Sequence, residues 1–195
     1  MRQGTITTVH PEDLALTLAE GKRQLRIEPD ENDEDVHITH LCRAAQAKLR
    51  RDLQYPILRE TLQTRLSCFP TGPVWLAGGD NPVINSVSYE DLQGQTQTLP
   101  GEDYRLDAVQ RRPRLWPAPH KSWPSTISAV NAVLITWQAG WSTPDEVPPD
   151  LKMAMQLLVG HWDQNREAVV IGKVSNDVQM TYESLLEGWH LSSFG

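Results

Sequence analysis

Cysteine is scarce in this 195-residue chain, and long apolar runs are missing altogether. Its two cysteines, Cys42 and Cys68, show no CxxC or Cys/His ligand spacing, which argues against a zinc module and a disulfide framework. Both are expected to be buried free thiols packing as small hydrophobes. No stretch approaches the roughly 18–20 apolar residues that a membrane-spanning helix needs. The opening residues, MRQGTITTVHPEDLAL, lack the apolar core of a secretory signal. A soluble protein in the cytoplasm of the producing cell is therefore expected. Gly78-Gly79 lacks both the P-loop lysine and the dinucleotide-binding spacing, so no phosphate cradle is indicated. Internal repeats and low-complexity segments are also missing.

What is present is ordinary globular composition, with 39% hydrophobic and 22% charged residues. Net charge is −7 and the sequence pI about 5.3. That balance opposes tight binding to duplex DNA, which needs cations to displace counterions from phosphates. It suits a surface past which DNA slides, because like charges repel.

Three regions separate by pattern. Residues 14–55 read as helical. Thr17-Leu18-Ala19-Glu20 has the form of a capping box, followed by a short apolar face of Leu18, Leu25 and Ile27, with Gly21 unfavourable inside it. Residues 28–35 hold six acids in eight positions and read as a solvated linker. A helix then runs over 33–53, acidic at its start and basic at its finish, with Val36, Leu41, Ala44, Ala45 and Leu49 at three- and four-residue spacing. Pro56 stops it. From there to about Trp141 the period changes from 3.6 to 2. Leu58, Leu62, Leu66 and Cys68 alternate with polar residues, and short strands are predicted at 73–76, 83–90, 96–99, 102–106 and 126–137. Residues 113–124, with four prolines and two tryptophans, read as a stiff extended loop. Helix returns after Pro148-Pro149-Asp150, where Leu151, Ala154, Met155, Leu158 and Trp162 share one face. Residues 166–180 read as a loop and 182–189 as a last short helix. The fold class predicted is α+β: a small helical core from residues 1–56 and 148–195, with an antiparallel β-rich insertion over 57–147.

Candidates for chemistry are few. His37 and His40 lie three apart behind Asp33 and Glu34, a spacing that places two imidazoles and a carboxylate near one another; a solvated helix start explains the same residues. His161-Trp162-Asp163 has no nucleophile beside it in any recognised motif. Arg111, Arg112 and Arg114 with Trp116 form the best nucleic-acid candidate, because guanidinium and indole contact phosphates and stack on bases; salt bridges between subunits are the alternative. No catalytic residue, metal or cofactor is predicted. Seven tryptophans exceed what a modest β-layer buries, and tryptophan is enriched at interface hot spots.

The order of segments carries a resemblance. LTLAEGKRQLRI (16–27), the acidic linker and DVHITHLCRAAQAKLRRDLQYPIL (35–58) are similar to the N-terminal half of tailed-phage head–tail connector, or adaptor, proteins. AVLITWQAGWSTPDEVPPDLKMAMQLLVGHWDQNREAVVIG (132–172) and YESLLEGW (182–189) resemble the same family's C-terminal part. The likeness covers nearly the whole chain from Leu14; the loop at 113–124 and the final HLSSFG match no pattern. It implies a helical core with inserted strands, assembled as a ring of about twelve copies beneath the portal. Such a ring extends the DNA channel without sequence-specific binding and offers a docking surface to neck and tail proteins. It implies residence in the virion at the head–tail junction and no enzyme activity. Trp189, Leu191 and Phe194 are then the residues expected to dock on the portal. Arg166 and Glu167, with Arg111 and Arg112, are expected at the boundary between subunits. A tail-completion or terminator protein, or a nucleic-acid-binding module, is the alternative.

Overall fold

Period-two burial runs through two stretches of the chain, Glu60–Leu66 and Val133–Ala139, each alternating fully buried with half-buried residues. These become neighbouring strands in a computed structural model that describes residues 3–166 and 176–191. The chain divides into two units, Met1–Pro11 with Arg59–Gly140, and Glu12–Leu58 with Trp141–Gly195.

Apart from a 3-10 turn at Gly101–Asp103, the regular elements of the first unit are strands: β1 (Gln3–Val9), β2 (Glu60–Leu66), β3 (Val74–Trp75), β4 (Val83–Glu90), β5 (Thr96–Thr98), β6 (Tyr104–Asp107), β7 (Arg114–Pro117) and β8 (Val133–Ala139). They form two antiparallel sheets, ordered β1-β2-β8-β4-β5 and β3-β7-β6. Leu62, Leu66, Val87, Ile135 and Trp137 from the larger sheet share one core with Val74 and Leu115 from the smaller. Two polar groups are buried with them, and the partners come from β1. Thr64 Oγ1 lies 3.0 Å from Thr5 Oγ1 and accepts the Trp137 indole N–H at 3.0 Å, while Thr7 donates to Glu60 Oε2 at 3.1 Å. An unpaired polar group at such a depth would cost about 1–3 kcal/mol, so β1 completes the sheet chemically as well as geometrically.

Two of these strands depart from the sequence reading. Residues 3–9 belong with the strands and not with a helical 1–56. Arg114–Pro117 is the central strand of the small sheet, inside the segment expected to be a loop. The prolines do not obstruct it, because Pro113 precedes the strand and Pro117 ends it, the positions where a missing N–H is tolerated. The rest of that segment is packed too: Trp123 stacks on Phe69 at 4.7 Å and donates to the Gly72 carbonyl. The last predicted strand begins at Val133 rather than 126, after a turn with Asn131 in the left-handed region.

The second unit is helical: α1 (Leu18–Leu25), α2 (Asp35–Leu53), α3 (Pro149–Gln164) and α4 (Asn176–Leu186). Ile38, Cys42, Ala45, Leu49 and Leu53 of α2 pack with Leu151, Ala154, Met155 and Leu158 of α3 and with Tyr182 and Leu186 of α4. The α+β class and the pairing of N- and C-terminal helices follow the sequence, but α4 starts six residues earlier than predicted. Gly21 has a positive role inside α1. A Cβ there would sit 2.7 Å from Ile38 Cγ2 and 3.0 Å from Cys42 Sγ, so glycine permits the close approach of α1 to α2.

The capping box forms as predicted: Glu20 N–H donates to Thr17 Oγ1 and Thr17 N–H to Glu20 Oε2. Lys152 of α3 adds a bond to Glu20 Oε1 at 2.6 Å. The linker over 28–35 is not simply solvated. The Lys22 ammonium, 6% exposed, donates to the carbonyls of Pro29 and Glu31 and to Asn32 Oδ1, and pairs with Asp35 Oδ1 at 2.7 Å. The acidic segment is thereby wrapped around one buried cation. The two thiols differ. Cys42 is buried as expected, whereas Cys68, two residues beyond the end of β2, is exposed.

Three outcomes are expected. Lys22→Met leaves the linker oxygens and Asp35 without their cation, and destabilises the protein by about 2–4 kcal/mol, read as a lower urea midpoint; an unchanged midpoint refutes the role given to Lys22. The Glu20 carboxyl lies below its ordinary value: burial raises it, but the bond from Lys152 and those from Thr17 outweigh burial. A depressed carboxyl contributes stability above its unfolded pKa that is lost as pH falls through the folded one. Glu20→Gln should therefore flatten the loss of stability below about pH 4.5, measured by urea titration across that range. Thirdly, burial pushes the Cys42 thiol up to about 11, with Glu20's charge adding to it. One equivalent of a thiol reagent should react at pH 8, at Cys68; peptide mapping that finds Cys42 modified in the native protein contradicts this placement.

Candidate interaction surfaces

The side chains named from sequence fall into four places. At the N-terminal end of α2, His37 Nε2 lies 3.3 Å from Asp163 Oδ1 at the far end of α3. Arg166 joins the same carboxylate at 2.7 Å and reaches Glu34 at 3.2 Å. His37 thus pairs with an acid 126 residues away rather than with His40, which is exposed. Among the described residues no group of three His, Cys, Asp or Glu side chains comes together as a metal-binding set. Arg166, expected between subunits, bridges α2 and α3 within one copy; Glu167 lies outside the described residues.

The second place is the C-terminal end of the helical unit. Trp189 donates its indole N–H to Asp150 Oδ2 at 2.6 Å, accepts the Tyr55 hydroxyl on its carbonyl at 2.9 Å, and meets Trp141 edge-on at 5.8 Å. Asp150 holds this bond from the first turn of α3, where an acid also complements the helix dipole. Trp189 is therefore a clasp between the chain end and its own core. Leu191 packs against the same core, and Phe194 lies outside the described residues. Nothing in the sequence pattern singled out Tyr55 or Asp150 as partners of Trp189, because the three are brought together only by tertiary packing.

A polar groove of about 660 Å³ forms the third place, lined by Lys48, Asp52, Tyr182, Glu183, Glu187 and His190 among others. Three of these groups satisfy one another. Tyr182 donates to Asp52 Oδ2 at 2.9 Å, Lys48 pairs with the same carboxylate at 2.9 Å, and its ammonium sits 5.0 Å from the Tyr182 ring centre. Burial, with the Asp52 carboxylate beside it, holds the Tyr182 hydroxyl protonated far above its ordinary range. A phenol so held is a hydrogen-bond donor and not a base or nucleophile.

The fourth is the outer face of the small sheet. Side chains alternate across a sheet, and since Leu115, paired with Val74 and Leu106, faces the core, Trp75, Arg114, Trp116, Arg105 and Asp107 face outward. Arg112 and Arg114 lie 5.4 and 5.1 Å from the Trp75 ring, and Arg114 is also paired with Asp107. Arg111 turns to Asp80 at 3.6 Å. The predicted arginine cluster therefore exists, but splits: Arg111 serves its own unit, while Arg112 and Arg114 flank an aromatic ring. Arg105 and Trp75, which complete the face, were not grouped with them from sequence; strand alternation would have done so had 114–117 been read as a strand.

No family model matches the chain, and no curated protein does. Solved structures do. A chain in the neck of an empty gene transfer agent particle, computed with C6 symmetry, aligns with a TM-score of 0.75 at 22% identity, over 100% of this chain and 98% of that one. A chain in the virion of the native gene transfer agent particle aligns at 0.76 and 21%, with the same coverage. A third, in the native neck computed with C12 symmetry, gives 0.73 and 19% with the same coverage. Along its whole length, this chain has the fold of chains that occur in the necks of gene transfer agent particles.

Proposed function

We propose that this chain is a structural subunit of a virion neck, a connector whose copies close into a ring at the head–tail junction. In this reading the ring sits on the portal, continues the DNA channel and presents the surface on which further neck and tail proteins assemble. The observation that carries it is the end-to-end match, with almost nothing left over in either chain, to proteins found in such necks. Necks computed with C6 and C12 symmetry support a ring of identical copies, about twelve of them.

Charge is consistent with passage of DNA. The helical unit holds eighteen acidic against ten basic residues, whereas the strand unit holds seven against eight. An acidic lumen lets a polyanion slide without being gripped. No enzymatic step and no cofactor belong to this reading. Trp189 is bonded to Asp150 and Tyr55 within the helical unit; in this reading Trp189, Leu191 and Phe194 mark the part of the chain that docks on the portal.

Purified protein, alone and mixed with its portal, should give rings of about twelve copies in native mass spectrometry or negative-stain images. Added to tail-less heads that lack it, the protein should restore joining to tails. Strict monomers in both conditions, with no restoration of joining, would overturn the reading.

A further inference from the structure

The outer face of the small sheet has the composition of an interface and the charge of only one side of it. Arg105, Arg112 and Arg114 stand there with Trp75 and Trp116 against one acid, Asp107. Trp116 is 40% exposed, an unusual state for the residue type most enriched at binding hot spots. Arg114 is paired with Asp107, but Arg105 and Arg112 make no ion pair among the described residues, so two guanidinium groups keep their charge available. The stacking of Arg112 on Trp75 fixes that charge in position and lowers the entropy lost on docking.

The complement is in the same sequence. The segment over 28–35 is the most acid-dense stretch of the chain, and it is not a floppy tail, because Lys22 fastens its backbone at Pro29 and Glu31. Two of its acids are engaged: Asp35 with Lys22, and Glu34 with Arg166. Glu28, Asp30, Glu31 and Asp33 are exposed and make no ion pair among the described residues. A cyclic ring of more than two copies needs a heterologous contact, in which two different patches meet. A basic aromatic face and a rigid acidic loop are such a pair.

We infer that the Trp75–Trp116 face of one copy docks on the acidic 28–35 loop of the next. This rests on the ring reading above and adds to it which surfaces meet. Arginine and tryptophan provide the buried centre, and opposite charge sets the register and excludes the reversed pairing.

The test uses two full-length charge-reversed variants: Arg105→Glu with Arg112→Glu, and Glu28→Lys with Asp30→Lys. Circular dichroism and a thermal melt establish that each is folded. In native mass spectrometry each alone should fail to form rings at concentrations at least tenfold above those at which the unaltered protein does. Mixed one to one, they should assemble with the two variants in equal number, because each reversed face now meets a reversed loop. Assembly of either variant alone like the unaltered protein, or no assembly of the mixture, overturns the proposal while leaving the ring reading intact. If the unaltered protein never forms rings, the ring reading fails, and pairing of the mixture alone then decides this one. Binding of a fluorescent oligonucleotide that the arginine reversal abolishes, with no pairing in the mixture, would assign the face to nucleic acid instead.

Discussion

Neither unit of this protein is contiguous in the chain, and that constraint governs most of what holds it together. The helical unit is built from two segments with residues 59–140 between them, and its polar bonds repeatedly join residues more than a hundred apart: Lys152 to Glu20, Tyr55 to Trp189, Tyr182 to Asp52, and Arg166 to Glu34. Closing a loop of that length adds little entropy cost beyond closing a shorter one, since the cost grows only with the logarithm of length. What a long closure lacks is register. Apolar packing in the cluster that holds Ala45, Leu49, Met155 and Leu158 supplies attraction but tolerates sliding; a carboxylate facing one ammonium or one hydroxyl does not. In the strand unit Thr5 and Thr7 do the same work, fixing β1 against Thr64 and Glu60.

The same economy engages the titratable groups of the helical unit with one another. Tyr182, Lys48 and Asp52 satisfy one another, His37 is held to Asp163, and Cys42 is buried among apolar side chains. Tyr182 and Cys42, both buried in the helical unit, have raised pKa values that keep them neutral. The groups that remain available for a partner are on surfaces: guanidinium and indole on the small sheet, carboxylates on the loop after α1.

Much of this was legible in the sequence, and the misses share a cause. Periodicity and capping are local, and local signals served well: Thr17 and Glu20 cap α1, the acid-to-base gradient bounds α2, and Pro148-Pro149-Asp150 opens α3. The strand at 3–9 is as rich in β-branched residues as any other, but it is short and its pairing partner lies some sixty residues away. Arg114–Pro117 was hidden by proline density, a rule that holds for strand interiors and not for their ends. The linker around Lys22 looked solvated because six acids dominate it. The cation that organises them sits in the preceding helix, and sequence alone does not show that a lysine turns inward. Trp189 is expected to dock on the portal from the family resemblance alone; its bonds to Asp150 and Tyr55 arise from tertiary packing, which no local pattern reports.

Net charge misleads in a similar way. A value of −7 describes the chain as an acidic surface, yet the imbalance sits almost wholly in the helical unit, and the strand unit is close to neutral, with Arg105, Arg112 and Arg114 on one sheet face. A uniformly acidic protein repels its own copies at every orientation. One with segregated charge repels in some orientations and attracts in others, and the attractive ones are heterologous because the two patches are different surfaces. Such attraction acts only within about a Debye length, roughly 8 Å at physiological salt, so it selects an orientation at close approach without drawing copies into a bulk aggregate. For the ring proposed above, in which neighbours add in one sense around a circle, that distribution serves better than either a neutral or an evenly charged surface.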